Sequence, residues 1–175
     1  MTSDATAPER DPFLEAVGRV TVAGAHLDAS LHGLLGAIAF EPTLLKLANA
    51  EGTARLIDMC EVALTVGTLA PEDVAEVRAC LARARELKDK RNQIVHSIFL
   101  QAEKGNGFEA MKPRSRKLGS SVVSLTVEEM EATAKQMAEL RERMFRAGWN
   151  GRCKMTGMTP IPPPAPSAEA SANQE

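Results

Sequence analysis

From Phe13 to Ile38 the apolar positions return at alternating steps of four and three: Phe13, Val17, Val20, Gly24, Leu27, Leu31, Leu34 and Ile38. That spacing draws one stripe down a helix. Pro12 suits its first turn, and Glu41-Pro42 closes it, because the residue before a proline avoids helical backbone. A neighbouring row of small residues, Ala16, Ala23, Ser30 and Ala37, leaves room for another helix to come close. "TLLKLANAEG" reads as a short helical turn. "TARLIDMCEVALTVGTLA" reads as a second helix with Leu56, Cys60, Ala63 and Val66 or Gly67 on one side, weakened at its end by Thr65, Gly67 and Thr68. Pro71-Glu72-Asp73 opens a third, with acids at the positive end of the helix dipole. Val74, Val77, Leu81, Ala84, Leu87, Ile94, Val95 and Ile98 carry its stripe to about Ser97.

The rhythm then changes. "SIFLQAEKGNGFEAMKP" is two short extended runs around Gly105-Asn106-Gly107, a hairpin signal. "SRKLGSS" reads as a loop and "VVSL" as a candidate third strand. Thr126 and Glu129 fit a capping box. Val127, Met130, Ala134, Met137, Leu140 and Met144 form the last helix, with Gly148 as its expected stop. The expected fold class is therefore all-α: a four-helix up-and-down bundle with a small β-hairpin insertion before the last helix. Residues 12–148 form the folding domain. The polar segment 1–11 and the Pro/Ala/Ser-rich tail 149–175 are expected to be disordered. No internal repeat is visible.

Composition fits this picture. A chain of 175 residues has the length of one domain and can bury a core without disulfides. Aromatics are 3% with no tyrosine, and eight methionines take over part of the packing, which favours helix on helix over a β-sandwich. A net charge of −2 does not announce nucleic acid, so any such role rests on local patches. Cys60, Cys80 and Cys153 show no metal-ligand spacing and read as reduced thiols of a cytoplasmic protein. No charged start leads into an apolar run and no run reaches membrane-spanning length, so neither a membrane nor a secretory role is expected. No metal site is expected: His26 and His32 read as surface or partly buried residues of the first helix.

One stretch breaks the stripe, "KDKRNQIVHSIF", residues 88–99. Lys88, Asn92 and His96 lie four apart and share a helix face. Arg91 falls on the apolar seam, in line with Ala84, Val95 and Ile98. Arg91 and His96 are five positions apart, about 140° on an ideal helix, so the two meet only if Arg91 reaches round or a second copy lies alongside. An unpaired buried guanidinium costs several kcal/mol, so Arg91 must be paired, wet or at an interface, with Asp28 one candidate partner. His96 near a helix end also suits the negative dipole end.

The string "RNQIVH" resembles the HEPN superfamily, whose hallmark is an arginine, four to six residues and a histidine, commonly with a polar residue directly after the arginine. "RNQIVHSIF" is similar to HEPN-like bacterial proteins carrying an RN-x-x-VH-S stretch before a short strand. The motif match is confined to these nine residues; the likeness of fold covers most of residues 12–148. The resemblance implies a HEPN-type bundle and a metal-independent endoribonuclease without cofactor. In that chemistry the ribose 2′-hydroxyl is the nucleophile and a 2′,3′-cyclic phosphate is left. Arg91, Asn92 and His96 would be catalytic. An imidazole exchanges protons near neutrality, a guanidinium offers a planar charged fork to the phosphorane, and Asn92 would orient the imidazole or a phosphate oxygen. The resemblance also implies a homodimer with the two motif helices sharing one cleft, and family habit adds a toxin or defence role restrained by an inhibitory partner protein. RNA phosphates would be guided by Lys88 and Lys90 and by the basic run "KPRSRK", with Lys112, Arg114, Arg116 and Lys117; a solvated loop is the other reading of that run. The alternative function is a non-catalytic dimeric helical module that binds a partner protein or nucleotide through the same cleft, with Arg91 structural.

Overall fold

Asp11 accepts the N–H of Phe13 at 2.9 Å and Pro12 takes the first helical turn, so helix α1 starts there and runs Pro12–Ala39. Phe40 adopts a left-handed conformation (φ 50°) and ends it. The computed structural model describes residues 10–101, 107–113 and 118–164. Helix α2 (Pro42–Ala48), a turn in the sequence reading, is a seven-residue helix capped by Glu41. Helices α3 (Thr53–Val66) and α4 (Pro71–Val95) follow. Strands β1 (Ile98–Gln101), β2 (Phe108–Pro113) and β3 (Ser120–Leu125) then form an antiparallel sheet in sequence order. Helix α5 (Val127–Thr156) follows, started by the capping box of Thr126 and Glu129. Among the described residues the architecture is mostly helical, five helices with a small three-stranded sheet between α4 and α5.

Three expectations need correction. The insertion is a three-stranded sheet, because β3 pairs with β2 along its whole length, Phe108 opposite Leu125 and Pro113 opposite Ser120. Ile98 leaves the helical stripe altogether: it belongs to β1 and is exposed. Gly148 does not stop the last helix, which passes through it and through Gly151 to a left-handed stop at Gly157 (φ 71°). Both glycines serve contact instead. A Cβ on Gly148 would lie 3.2 Å from Ala37 Cβ and from Leu34 Cδ1, and one on Gly151 would lie 3.0 Å from Leu69 Cδ2. Residues 149–156 are therefore helix, and the next segment folds back on it. Ile161 N–H donates to Asn150 Oδ1 at 2.8 Å, and Asn150 Nδ2 returns a bond to the Ile161 carbonyl at 2.9 Å. Residues 165–175 and 1–9 lie outside the described residues, as do Gly105, Asn106, Arg114, Arg116 and Lys117.

Two apolar clusters hold the elements. The larger joins Leu27, Leu31, Leu34 and Leu35 of α1 to Leu56, Ile57 and Cys60 of α3, Val77, Leu81 and Leu87 of α4, and Met137, Leu140 and Met144 of α5. Each such side chain contributes roughly 1.5–3 kcal/mol of burial. The smaller joins Ala16, Val20, Ile94 and Met130, with Phe13 and Phe99 packed on it. Phe13 meets Phe99 edge-on (4.9 Å) and Phe108 at a tilt (4.1 Å), which docks the sheet on the start of α1. Among the described residues no helix is long and apolar enough to cross a membrane. All three cysteines are free and buried. Burial pushes the Cys60 thiol up to about 12 and the Cys80 thiol up to about 11, so neither serves as a nucleophile near neutral pH.

Gly148→Val forces β-branched bulk into the α1–α5 contact and is expected to destabilise by about 1–3 kcal/mol, read as a lower urea midpoint with an unchanged m-value. Across α4 and α5, Arg143 Nε and Nη2 donate to Glu76 at 2.6 and 2.9 Å, and these bonds hold the Glu76 carboxyl below the usual carboxylate range. A depressed folded value means stability that is present above the unfolded value and lost as pH falls through the folded one. Glu76→Gln should therefore lower the Tm slightly at neutral pH, and the difference from the parent should vanish in acid below the carboxylate range.

Candidate functional site

The two apolar clusters part at one level of the fold. On α1 the smaller cluster ends at Val20 and the larger begins at Leu27; on α4 the corresponding residues are Ile94 and Leu87. Gly24 and Arg91 occupy the gap between them. The Arg91 side chain lies across the bare backbone of Gly24, where a Cβ would stand 2.9 Å from Nε and 3.2 Å from Cγ. Glycine is what makes the space. Arg91 Nη1 donates to Asn92 Oδ1 at 2.9 Å, while the buried Nε–H finds no acceptor among the described residues. An unsatisfied buried donor costs about 1–3 kcal/mol. The candidate ion pair with Asp28 is not formed. Asp28 accepts the Thr53 hydroxyl instead, and among the described residues no carboxylate comes within ion-pair distance of Arg91.

Helix α4 ends one residue before the motif histidine. His96 is its C-cap, at φ −112° and ψ 17°, and its N–H donates to the Asn92 carbonyl at 3.2 Å. Lys112 Nζ, from β2, donates to the same carbonyl at 3.4 Å. A cation at that position complements the negative end of α4, whose own last turn carries no basic residue. Asn92 is thus held through its amide oxygen and its carbonyl. Its amide oxygen holds the arginine, and among the described residues its side chain makes no bond to the imidazole. The His96 side chain is exposed and has no hydrogen-bond partner among the described residues.

Arg91 and His96 nevertheless share a space within one chain. By reaching round to Asn92, Arg91 joins the face that carries Lys88, Asn92 and His96, and all four line an open cleft of about 430 Å³. The opposite wall is the first turn of α3, Gly52 to Arg55. Gly52 provides no side-chain cap, and the Thr53 hydroxyl is turned to Asp28, so among the described residues no side chain satisfies the first amide groups of α3. An uncapped helix start favours an anion, as do Arg55, Arg91 and Lys88, the last of which also contacts Asp89 at 3.0 Å. The arrangement can hold a phosphate-sized anion beside a solvent-facing imidazole.

Of the other residues the sequence marked, Lys90 opens on a different cleft, between α4, β3 and α5. Lys112 joins the site only through the Asn92 carbonyl. Arg114, Arg116 and Lys117 fall outside the described residues. Sequence reasoning missed the α3 wall and the role of Gly24. A signal existed for each: a lone glycine within a stripe of larger apolar residues, and a glycine directly before a helical pattern. His26 is exposed and His32 half-buried against the Leu45 carbonyl, and no cluster of metal-ligating side chains occurs among the described residues.

No family model, no curated protein and no solved structure matches this chain.

Gly24→Ala is expected to displace the Arg91 side chain while leaving α1 helical. Inorganic phosphate should raise the Tm of the parent protein and raise that of the variant by clearly less. An equal rise in both would detach Arg91 from anion binding.

Proposed function

We propose that the chain is a metal-independent endoribonuclease of HEPN type, with a four-helix bundle of that type built from α1, α3, α4 and α5. The observation that carries this reading is the common cleft of Arg91, Asn92, Lys88 and His96, faced by an uncapped helix start. The cost of the site supports it too. A leucine at position 91 would join the two apolar clusters, whereas the arginine splits them and leaves a buried N–H without an acceptor. Departures of that kind from a consistent core are found where function is placed.

In this reading the cleft holds the scissile phosphate between the Arg91 fork and the α3 amide groups. The 2′-oxygen attacks phosphorus, the bond to the 5′-oxygen breaks, and a 2′,3′-cyclic phosphate remains. His96 exchanges the proton, as base toward the 2′-hydroxyl or as acid toward the leaving 5′-oxygen. Such proton transfer contributes roughly 10²–10⁴ in rate. Arg91 and the amide groups meet the charge that develops on the phosphorane oxygens, and Asn92 fixes the arginine through the 2.9 Å bond. A homodimer belongs to the proposal as well. Ile98 and Leu100 are exposed on edge strand β1 immediately after His96, which gives a second copy an apolar rim beside the cleft.

A second reading has its own observation: nothing among the described residues orients the His96 ring. In that reading the cleft only binds, taking a nucleotide or an anionic partner, and Arg91 serves the binding.

Purified protein incubated with single-stranded RNA in excess EDTA separates the two. The nuclease reading expects cyclic-phosphate ends, a loss of about 10²-fold or more in His96→Ala, and a similar loss in Arg91→Ala. Equal trace cleavage by parent and variants, with phosphate binding retained, would leave the binding module. Sedimentation of the same samples gives the oligomeric state.

A further inference from the structure

Beside the C-terminal half of α1, beyond the level of Gly24, lies a larger concavity that the proposed activity does not use. It measures about 840 Å³, within the range of small-molecule sites, and runs between α1 and α5. Its floor is made of small residues, Ala29, Gly33, Gly36 and Ala37, and its far wall of Phe145, Gly148 and Trp149. The two rings of that wall stack at 6.3 Å, and Phe145 is exposed. These α5 residues share a face with Arg141 and Arg152, because eleven residues bring a helix back to nearly the same side about 16 Å further on.

The charge on the groove has one sign: among the described residues its charged side chains are Arg141 and Arg152, and no carboxylate lines it. Arg141 is already engaged: Nη2 donates to Glu142 at 2.8 Å and Nη1 lies 3.5 Å from His26 Nδ1. Arg152 rests over the Phe40 ring at 4.8 Å and has no acidic partner among the described residues. The groove therefore offers a carbon-lined trough with one uncommitted cation at its end. That combination complements a linear amphipathic anion.

We propose that the α1–α5 groove binds a free fatty acid, with the alkyl chain along Gly33, Ala37 and Trp149 and the carboxylate on Arg152. The alkyl chain covers apolar surface that α1 and α5 leave in water, and the headgroup gives the exposed Arg152 a fixed anionic acceptor in place of water. The site is independent of the proposed nuclease cleft.

Trp149 is the sole tryptophan of the chain and lines the groove, so its emission reports occupancy directly. Titrating the full-length protein with dodecanoate is expected to shift that emission to shorter wavelength and to saturate. Dodecanol should bind about tenfold more weakly, and Arg152→Gln should weaken dodecanoate by about the same factor while leaving dodecanol unchanged. Gly33→Leu should abolish binding, since a Cβ there meets nothing within 4 Å and a longer side chain fills the groove without displacing its walls. Arg152 is exposed, so its variant keeps the test valid even if the Gly33 variant fails to fold. The proposal falls if dodecanoate leaves the emission unchanged, or if acid and alcohol bind alike. It falls equally if phosphatidylglycerol vesicles bind where monomeric dodecanoate does not, or if sedimentation shows a parent dimer that Gly33→Leu dissociates, since the groove would then belong to a second copy.

Discussion

Helix α1 carries the constraint on which the other contacts depend: neighbours come close to it at two levels, and each time a small residue makes the space. At Gly24 it is the Arg91 side chain of α4 that lies against the backbone, and at Ala37 it is the Gly148 backbone of α5. Large side chains between these positions, Leu27, Leu31, Leu34 and Leu35, fill the core. The helix is thus an alternation of filled and open levels. Packing at near-crystalline density makes such a pattern specific, because a single added methyl group at an open level is felt by the partner helix.

The same alternation places the two concavities. Where the open level admits a charged side chain, the core divides into two clusters and a polar cleft opens between α3 and the end of α4. Where small residues outnumber what α5 covers, a carbon-lined groove remains. The cleft is organised around a guanidinium, an uncapped helix start and an exposed imidazole. The groove is organised around an aromatic pair and an uncommitted arginine. Each follows from what α1 does not fill.

Most elements were legible as patterns. The stripe from Val20 to Ile38, the capping box at Thr126, and the buried methionines Met130, Met137 and Met144 follow from spacing alone, because burial of one helix face is a local periodicity. Gly148 was misread for a physical reason. A glycine after a helical pattern commonly marks a C-cap, yet the same absence of a Cβ also permits a close helix crossing, and only the partner decides which use applies. Arg91 posed a similar ambiguity. Its place on the seam was legible, and so was the need for a partner, but Asp28 went to Thr53 and Asn92 took the arginine. Those choices depend on distances between helices that are remote in sequence.

The chain by itself determined where its helices begin and end to within a turn or so at most boundaries, which faces are apolar, and which side chains bear chemistry. Those properties come from backbone propensities and from periodicity over a few residues. Tertiary structure alone decided that Gly52 and Arg55 face the motif across a cleft, that Lys90 turns away from it, and that Trp149 lines a groove instead of a tail. The reason is geometric: a cleft has two walls, and the contact between them is set by how closely two helices approach, which no run of neighbouring residues encodes.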